Sequence, residues 1–400
     1  MQRKRKKTTP QLSKKTLAGL YIHIPFCKSR CIYCGFYSTT LLDWRQRYIH
    51  AVCKEMEIRG EELEERGERL ETVYLGGGTP SQLTFEQLQQ LFIYINKVYG
   101  LHQATEITME CNPDDLTPEY VDAISQLPIS RVSMGAQTFD AERLRFLHRR
   151  HSAEQVSQAV TLLRKAGIKN ISIDLMYGFP DETIDSWHHD IDCALALEPE
   201  HLSAYALMYE EGTPLYQQLA SNAVNEIDEE LSLQMFSDLI DRLSAAGYEH
   251  YEISNFAKWK SGSDGQHKDS YRSRHNSNYW NQTPYIGLGA AAHSYDGRHC
   301  RRWNIDDIKA YVNGIENGQL VFEQETINSD TRYNDLILTA LRTCEGLDLS
   351  LLTDVQVQYC LREAQRFIDD GRLLREGNRL RLTRKGIFVS NMIMSELMKI

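Results

Sequence analysis

Three closely spaced cysteines are the residues of this chain best suited to carry chemistry. Cys27, Cys31 and Cys34 follow an apolar, strand-like run with the spacing C-x3-C-x2-C. Thiolates select iron–sulfur clusters, zinc or copper(I). A structural zinc ion normally takes four protein ligands, often from paired C-x2-C turns, and no second pair follows in the sequence. The spacing therefore favours a [4Fe–4S] cluster with one open iron, although four cysteines are the more common ligand set.

The elements that must position these cysteines are strand-like and helix-like segments that alternate along the first half of the chain. Strands are predicted at 20–24, 72–75, 106–109, 131–134, 171–175 and 201–207. The predicted helices between them cover 42–70, 85–99, 118–127, 141–147, 153–166 and 184–197. This alternation indicates a parallel sheet with right-handed crossovers. Since the two further units of a complete eight-stranded barrel are not evident, we expect an α/β fold built on a partial (β/α)6 barrel.

The chain divides into four predicted regions. Residues 1–18 form a basic, flexible arm, 19–210 the core barrel, and 211–300 a linking helix followed by an irregular segment with a polar surface insertion at 260–270. Residues 301–400 form a smaller, mostly helical domain with helices at 305–317, 332–343 and 357–370. There a two-stranded ribbon turning at Gly377 and Asn378, with a terminal helix, predicts a winged-helix-like unit. A basic ribbon alone is weak evidence for nucleic acid, so we expect no nucleic-acid partner.

Composition narrows the class of protein. The net charge of −10 gives no overall attraction to nucleic acid or to an anionic membrane. Nine cysteines are an odd number, and those outside the triplet are scattered, which argues against a disulfide framework and for a reducing compartment. No apolar run approaches the roughly 18 residues of a membrane-spanning helix. We therefore expect a soluble, cytoplasmic protein.

Polar or glycine-rich residues follow several of the predicted strands. Gly76, Gly77 and Gly78 follow the second strand, and three consecutive glycines indicate either a positive φ or backbone close to a ligand. Glu110 and Asp174 follow or end two later strands. Because parallel strands end at one edge of a sheet, where α/β proteins bind their ligands, we expect these residues to surround one pocket.

The string Tyr21-x-His23-Ile24-Pro25-Phe26-Cys27, followed by the triplet and its aromatic neighbour, resembles the signature of the radical S-adenosylmethionine (SAM) enzymes. It is similar in particular to the branch of oxygen-independent coproporphyrinogen oxidases. The resemblance implies a [4Fe–4S] cluster on the three cysteines and one-electron cleavage of SAM to methionine and a 5′-deoxyadenosyl radical. The SAM contacts that it implies are Tyr21, Tyr33, Gly77, Gly78, Thr79, Glu110, Gln137, Arg149 and Asp174.

Two features separate the members of this branch. The resemblance to the oxidases calls for another cysteine where this chain has Phe36, and for a longer segment before the first strand. The string His275-Asn276-x-x-Tyr279-Trp280 instead resembles the HNxxYW motif of the HemW-type haem chaperones. Imidazole is an axial iron ligand, and the aromatic pair suits a porphyrin face. His267, His293 and Cys300 in the same region are alternative iron ligands.

Three functions are open at this point. The first is a haem chaperone that carries a cluster and SAM and passes haem to an acceptor apoprotein, a membrane respiratory enzyme being one candidate. The resemblance also implies a monomer–dimer change. The second is an oxygen-independent coproporphyrinogen III dehydrogenase, which removes carboxyl groups from two propionates. The third is another radical SAM reaction in the same pocket.

Overall fold

The computed structural model describes residues 16–260 and 270–399. Residues 1–15 of the predicted basic arm lie outside these ranges. So do residues 261–269 of the polar insertion, which include His267. The first strand begins at Thr16, four residues before its predicted start.

Six parallel strands form the centre of the fold. Each pairs in parallel with the next along the chain, so the predicted partial (β/α)6 barrel is confirmed. Most of their residues are buried, as is typical of parallel strands that are covered on both faces. The strands are β1 (Thr16–Ile24), β2 (Glu68–Gly77), β3 (Glu106–Cys111), β4 (Arg131–Gln137), β5 (Asn170–Tyr177) and β6 (His201–Ala206).

Helices pack on the outside of these strands. Several begin at a Thr or Ser whose side chain accepts a hydrogen bond from the first turn, and Thr84, Ser152 and Thr183 complete reciprocal capping boxes. The helices are α1 (Arg45–Ile58), α2 (Glu62–Glu65), α3 (Phe85–Val98), α4 (Pro118–Ile124), α5 (Ala141–Phe146), α6 (Ala153–Lys165) and α7 (Ile184–Ala196).

The prediction of one long helix over 42–70 was wrong. Helix α1 ends at Ile58, the four-residue helix α2 follows, and β2 already begins at Glu68. Gly60 and Gly67 interrupt the helical pattern, and Gly67 has a φ of +68° that a helix does not contain. The alternating burial at the start of β2 is a strand pattern that the many Glu, Arg and Leu residues obscured.

The sheet extends beyond the barrel at both edges and has twelve strands in the described part of the chain. After β6 come α8 (Pro214–Ala220), α9 (Glu229–Ala245), β7 (Tyr248–Glu252) and β8 (Asn255–Lys258), and β8 pairs antiparallel with β6. The other edge consists of α10 (Arg274–Trp280), β9 (Tyr285–Leu288), β10 (His293–Tyr295), β11 (Cys300–Asn304), α11 (Ile308–Glu316) and β12 (Phe322–Thr326). Strand β9 pairs in parallel with β1. The chain beyond residue 300 is therefore less purely helical than predicted, because these strands are too short to show a clear period.

The C-terminal unit has its own hydrophobic core, which includes Tyr333, Ile337, Phe367 and Leu380. Its elements are α12 (Ser329–Ala340), β13 (Leu347–Asp348), α13 (Asp354–Asp369), β14 (Leu373–Glu376), β15 (Arg379–Leu382), α14 (Arg384–Ile387) and α15 (Ser390–Leu397). The predicted ribbon is confirmed as β14 and β15, and β13 adds a third strand to it. Since β11 and β12 belong to the large sheet, we propose that this unit begins near residue 327 rather than 301.

The arginines of the ribbon face acidic side chains. Arg379 pairs with Asp348 at 3.1 Å, Arg381 with Glu376 at 3.0 Å. Arg384, just after the ribbon, pairs with Asp241 of α9 at 3.0 Å. The positive charge that the sequence concentrates here is therefore largely balanced within the fold.

Two further observations concern the cysteines and the helices. All nine cysteines lie in the described ranges, and none of them forms a disulfide. Within residues 16–260 and 270–399, no helix has both the length and the apolar character needed to cross a membrane.

Candidate functional site

The three cysteines lie on the loop that follows β1, at the carboxyl edge of the barrel. The loop closes at its base, where the Cys27 amide donates to the Thr39 carbonyl at 2.9 Å and the Thr39 amide to Pro25 at 2.7 Å. At its tip, Ile32 is buried in a small cluster with Leu147 and other apolar residues of neighbouring elements. These contacts fix the position of the loop that carries the thiols.

The thiols lie in a partly buried environment that disfavours negative charge. Burial, together with the neighbouring thiols, raises the pKa of Cys34 to about 11. Burial also raises the pKa of Cys27, whereas the hydrogen bond with Thr79 and the charge of the Arg149 guanidinium lower it. Arg149 Nη1 donates to Cys31 Sγ at 3.7 Å. A bound metal centre would supply the positive charge that converts such thiols to thiolates.

The geometry of the thiols also bears on the kind of centre. Among the described residues, no three His, Cys, Asp or Glu side chains are arranged around a point where one metal ion would be held. The cysteines of an iron–sulfur cluster each bind a different iron, so their sulfur atoms need not converge on a single point.

The glycine run brings the end of β2 against this loop. A Cβ on Gly78 would lie 2.7 Å from the Pro25 carbonyl carbon and 3.1 Å from Cys27 Sγ. Gly77 has a φ of +114°, and a Cβ there would lie 2.6 Å from the His23 ring. The side chain of the next residue, Thr79, contacts Cys27 Sγ at 3.4 Å. Larger residues would therefore separate the strand from the cysteine loop.

Glu110 lies beside the glycine run at the end of β3. Its Oε1 accepts from the Tyr74 hydroxyl at 2.7 Å, and its Oε2 accepts from the Gly77 amide at 3.2 Å. Burial raises the pKa of Glu110 to about 7, and nearby Asp174 adds to the effect. Tyr21 stacks on Tyr74 with 6.1 Å between the ring centres. The carboxyl group of Glu110 is thus held by two hydrogen bonds, and about half of the molecules carry it ionised near neutral pH.

Arg149 connects the ends of β3 and β4 to the cysteine loop. Its Nη2 donates to the Gly135 carbonyl at 2.6 Å and to Asn112 Oδ1 at 2.9 Å, whereas its buried Nε has no partner among the described residues. Gln137, two residues after Gly135, has a φ of +66°, which is unusual for a residue with a side chain. The unpaired, buried N–H at Arg149 Nε is suited to a ligand carboxylate.

Two further predicted residues lie near this edge. Asp174 on β5 accepts weak hydrogen bonds from Ser133 and Ser172, and burial raises the pKa of its carboxyl group. Tyr33 lies on the cysteine loop, where burial and the neighbouring thiols raise the pKa of its phenol.

His275 lies at the barrel edge, on the first turn of α10, and is buried. The amides of Arg274 and His275 donate to the two oxygens of buried Glu106, both at 3.0 Å, which fixes the start of the helix. His275 Nδ1 shares a hydrogen bond with Thr72 Oγ1 at 2.9 Å, and Nε2 shares one with the Tyr279 hydroxyl at 2.8 Å. Burial lowers the pKa of this imidazole to about 3, so it is neutral, and both ring nitrogens are engaged.

The rest of the HNxxYW motif has different surroundings. The Asn276 amide donates to Ser273 Oγ at 3.3 Å, which caps α10. Tyr279 and Trp280 line a cavity of about 1070 Å³. The Arg342 guanidinium lies over the Trp280 ring, 5.0 Å from its centre. The buried indole Nε1 of Trp280 has no hydrogen-bond partner in the described part of the chain.

This cavity lies between the cysteine loop and the added strands β9–β12, with α12 at its rim. Gly35 and Phe36 of the loop form part of its wall, and Phe36 is 71% exposed. Aromatic side chains make up much of its lining: Tyr21, Phe36, Tyr37, Tyr279, Trp280, Tyr285, Tyr295 and Trp303. Its charged residues are Arg30, Arg301, Asp306, Glu323 and Asp335. The cavity is thus a broad aromatic cleft that opens next to the three cysteines.

Sequence reasoning missed several residues that hold this site together. Asn112 bridges Thr79 and Arg149, and Tyr74 positions Glu110. Asp115 fastens the cysteine loop through Lys28, at 3.1 Å, and also contacts Ser81. Asn112 and Asp115 come shortly after the third strand. This position at a strand end is the sequence signal by which they could have been found.

Comparison with known proteins agrees with this arrangement. Residues 21–194 match the Radical SAM superfamily, and residues 327–389 match the HemN C-terminal domain. The fold is similar to that of coproporphyrinogen III oxidase (HemN) from Escherichia coli, with a TM-score of 0.79 over 96% of this chain and 90% of that chain, at 20% identity. Fold and site together define a radical SAM protein of the coproporphyrinogen oxidase-like branch.

The family within that branch follows from the curated relatives. The heme chaperone HemW of Bacillus subtilis is 33% identical over 83% of this chain and 85% of its own length. HemW of Mycobacterium tuberculosis is 31% identical over 95% of this chain and 94% of its own length. HemW of Escherichia coli is 31% identical over 74% and 76%. The chain belongs to the HemW family.

Proposed function

We propose that this protein is a haem chaperone, which binds haem in the aromatic cavity and releases it to an acceptor apoprotein. The cavity carries the proposal, because it is large, rich in aromatic side chains and walled on one side by the cysteine loop. Aromatic side chains stack well on a flat macrocycle, and small-molecule sites are typically apolar clefts with a few polar groups. The names of the relatives in B. subtilis and M. tuberculosis support the same function.

The chain also offers donors for the two carboxylates of haem. Arg30 on the cysteine loop is exposed, lines the cavity and has no ion pair within the described residues. The indole N–H of Trp280 lacks an acceptor among residues 16–260 and 270–399. A cation and an unpaired N–H at an apolar cleft suit an amphipathic ligand with acidic groups.

The residues at the strand ends fit a [4Fe–4S] cluster and SAM. Cys27, Cys31 and Cys34 would hold three irons, and the close approach of Gly78 to the loop leaves no space for a side chain there. When bound, the cluster supplies an electron for the reductive chemistry of SAM. Glu110 would accept from ligand hydroxyl groups, and the free N–H of Arg149 would receive a carboxylate. The remaining proposed SAM contacts are Tyr21, Tyr33, Gly77, Thr79, Gln137 and Asp174.

A second candidate function is that of a coproporphyrinogen III dehydrogenase. The fold similarity to the E. coli oxidase favours it, and the cleft is broad enough for a related tetrapyrrole. Against it stands Phe36, whose exposed ring lines the cleft where the resemblance to the oxidases calls for a cysteine.

The two functions separate in one paired experiment on the anaerobically reconstituted protein. We expect stoichiometric haem binding in an absorbance titration and no turnover of coproporphyrinogen III with SAM and a reductant. Formation of protoporphyrinogen at rates of many turnovers per hour would contradict the chaperone function. Absence of haem binding would contradict it as well.

A pair of tryptophan variants tests whether haem occupies this cavity. Trp280→Leu removes a ring from the cavity wall, and Trp44→Leu is its control. Trp44 is partly buried outside the cavity lining and also carries an arginine over its ring, Arg47 at 4.8 Å. Because an aromatic contact contributes roughly 0.5–1.5 kcal/mol beyond its buried area, we expect haem affinity to fall about tenfold for Trp280→Leu and to be unchanged for Trp44→Leu. Equal affinities for the two variants would place haem outside the cavity.

The partners are part of the proposal. The acceptor is an apoprotein that takes up haem, with a membrane respiratory enzyme as one candidate. A change between monomer and homodimer would accompany the cycle, which size-exclusion chromatography with and without haem tests directly.

A further inference from the structure

The aromatic cavity has two histidines on its wall, and His275 lies behind it. His23 and His293 line the cavity, whereas His275 is reached through Tyr21, whose ring stacks on it at 6.5 Å. A haem iron needs an imidazole nitrogen with a free lone pair. The hydrogen bonds of the three rings therefore decide which of them is available.

Two of these imidazoles are already engaged at both nitrogens. His23 Nδ1 lies 3.0 Å from the Tyr21 hydroxyl, and its Nε2 donates to the Tyr37 carbonyl at 2.9 Å. His275 is likewise held by Thr72 and Tyr279. Either ring would have to break a buried hydrogen bond, and leave its partner unsatisfied, to bind iron.

His293 is the exception among the three. It is the first residue of β10, it is exposed into the cavity, and neither ring nitrogen has a hydrogen bond within the described residues. Its ring stacks on Trp303, the residue opposite it on β11, with 5.7 Å between the centres and 25° between the planes. The antiparallel pairing of β10 with β11 therefore fixes the direction of the ring without using its nitrogens.

The charges around His293 favour the neutral ring that ligates metals. The cavity wall partly desolvates the exposed His293 ring and so lowers its pKa, and Arg301 lowers the pKa further while Glu325 opposes the change. Arg301 is itself held by Asp335 at 2.6 Å and Glu325 at 2.9 Å. Imidazole binds metals in its neutral form, which is the form expected here at neutral pH.

We propose that His293 is the axial iron ligand of haem in this cavity, and that His275 is a positioning residue that anchors α10. The inference rests on the proposed haem-binding function. It assigns the iron to the hairpin of β10 and β11, across the cleft from the cysteine loop. His275 then holds Tyr279 in the cavity wall through its ring nitrogen.

The test is a haem titration of the cluster-containing protein, read by absorbance and by electron paramagnetic resonance. Removal of a partner that merely supports a metal ligand costs 10–100-fold in affinity, so loss of the ligand itself in His293→Ala should weaken haem binding by roughly a hundredfold. His299→Ala is the matched control, because His299 is an exposed histidine of the same hairpin outside the cavity lining. His275→Gln should keep the spectrum of an imidazole-ligated haem.

A ligand role predicts two readouts that a structural role does not. Added imidazole should restore the wild-type absorbance bands in His293→Ala, and His293→Met should bind haem with the bands of a thioether ligand. An unchanged spectrum in His293→Ala or His293→Met, or loss of the imidazole signature in His275→Gln alone, would overturn the inference. Failure of the wild-type protein to bind haem would instead refute the proposed function itself.

Discussion

The glycine run allows a quantitative test of how the barrel holds the cysteine loop. We consider Gly77→Ala, at a φ of +114°, where the new Cβ would lie 2.6 Å from His23 Cε1 and 2.7 Å from Nδ1. His23 connects the loop to the strand through Tyr37, so a shift of its ring disturbs the far end of the cysteine loop. The substitution therefore combines backbone strain with a steric conflict at the cluster site.

The two contributions have separate magnitudes. An alanine at a positive φ costs about 1–2 kcal/mol, and forcing an extra carbon into a packed site costs about 1–3 kcal/mol. We expect Gly77→Ala to lower the free energy of unfolding by about 2–5 kcal/mol on this basis. Gly167→Ala is the control, because Gly167 has a φ of +88° but no atom within 4 Å of the new Cβ. The free energy of unfolding of Gly167→Ala should fall only by the backbone contribution.

The assay is chemical denaturation of both variants, followed by circular dichroism, together with the iron and sulfide content per chain after reconstitution. Gly77→Ala should be the less stable variant by about 1–3 kcal/mol and should retain less cluster, whereas Gly167→Ala should keep the wild-type content. Equal stability and equal cluster content in the two variants would refute the role of Gly77 in seating the loop.

Three further predictions concern the same site. Serine at any loop cysteine should abolish the broad visible absorbance of the reconstituted cluster, whereas Cys344→Ser, at an exposed position, should keep it; a colourless, iron-free wild type would contradict the cluster. The carboxyl group of Glu110 binds its proton more tightly in the folded state, with a pKa of about 7. Stability of the apoprotein should therefore fall by up to about 3 kcal/mol as pH rises from 4.5 to 8, and Glu110→Gln should remove this part of the pH dependence measured by denaturation. Glu106→Ala leaves two amides of α10 without an acceptor, which should cost about 1–3 kcal/mol each and weaken haem binding; unchanged thermal stability would contradict the anchoring role.

The sequence was most informative where the pattern is local and regular. The six parallel strands alternate with capped helices, and the ribbon of β14 and β15 turns at Gly377, so both were predictable from period and turn chemistry. The helix predicted over 42–70 failed because frequent Glu, Arg and Leu favour helix locally, while pairing of β2 with β1 and β3 decides the outcome. Tertiary context overrides propensity in such segments.

The site was predictable only in part, for a related reason. The cysteines and Gly76–Gly78 stand out because their spacing or composition is unusual in a globular chain. Asn112 and Tyr74 do not stand out, because their roles arise from contacts between different strands. The cavity itself could not be read from the sequence, since it depends on β9 pairing in parallel with β1, which brings β10 and β11 opposite the cysteine loop.

The most direct test of the central claim is the anomalous iron map of crystals of the haem-loaded, cluster-containing protein. The account predicts two iron-containing sites in each chain, the four irons of a cluster and the single iron of haem. One lies within the loop of Cys27, Cys31 and Cys34, and the other lies in the aromatic cavity beside His293 and Trp303. A haem iron found at any other place on the chain would contradict the account.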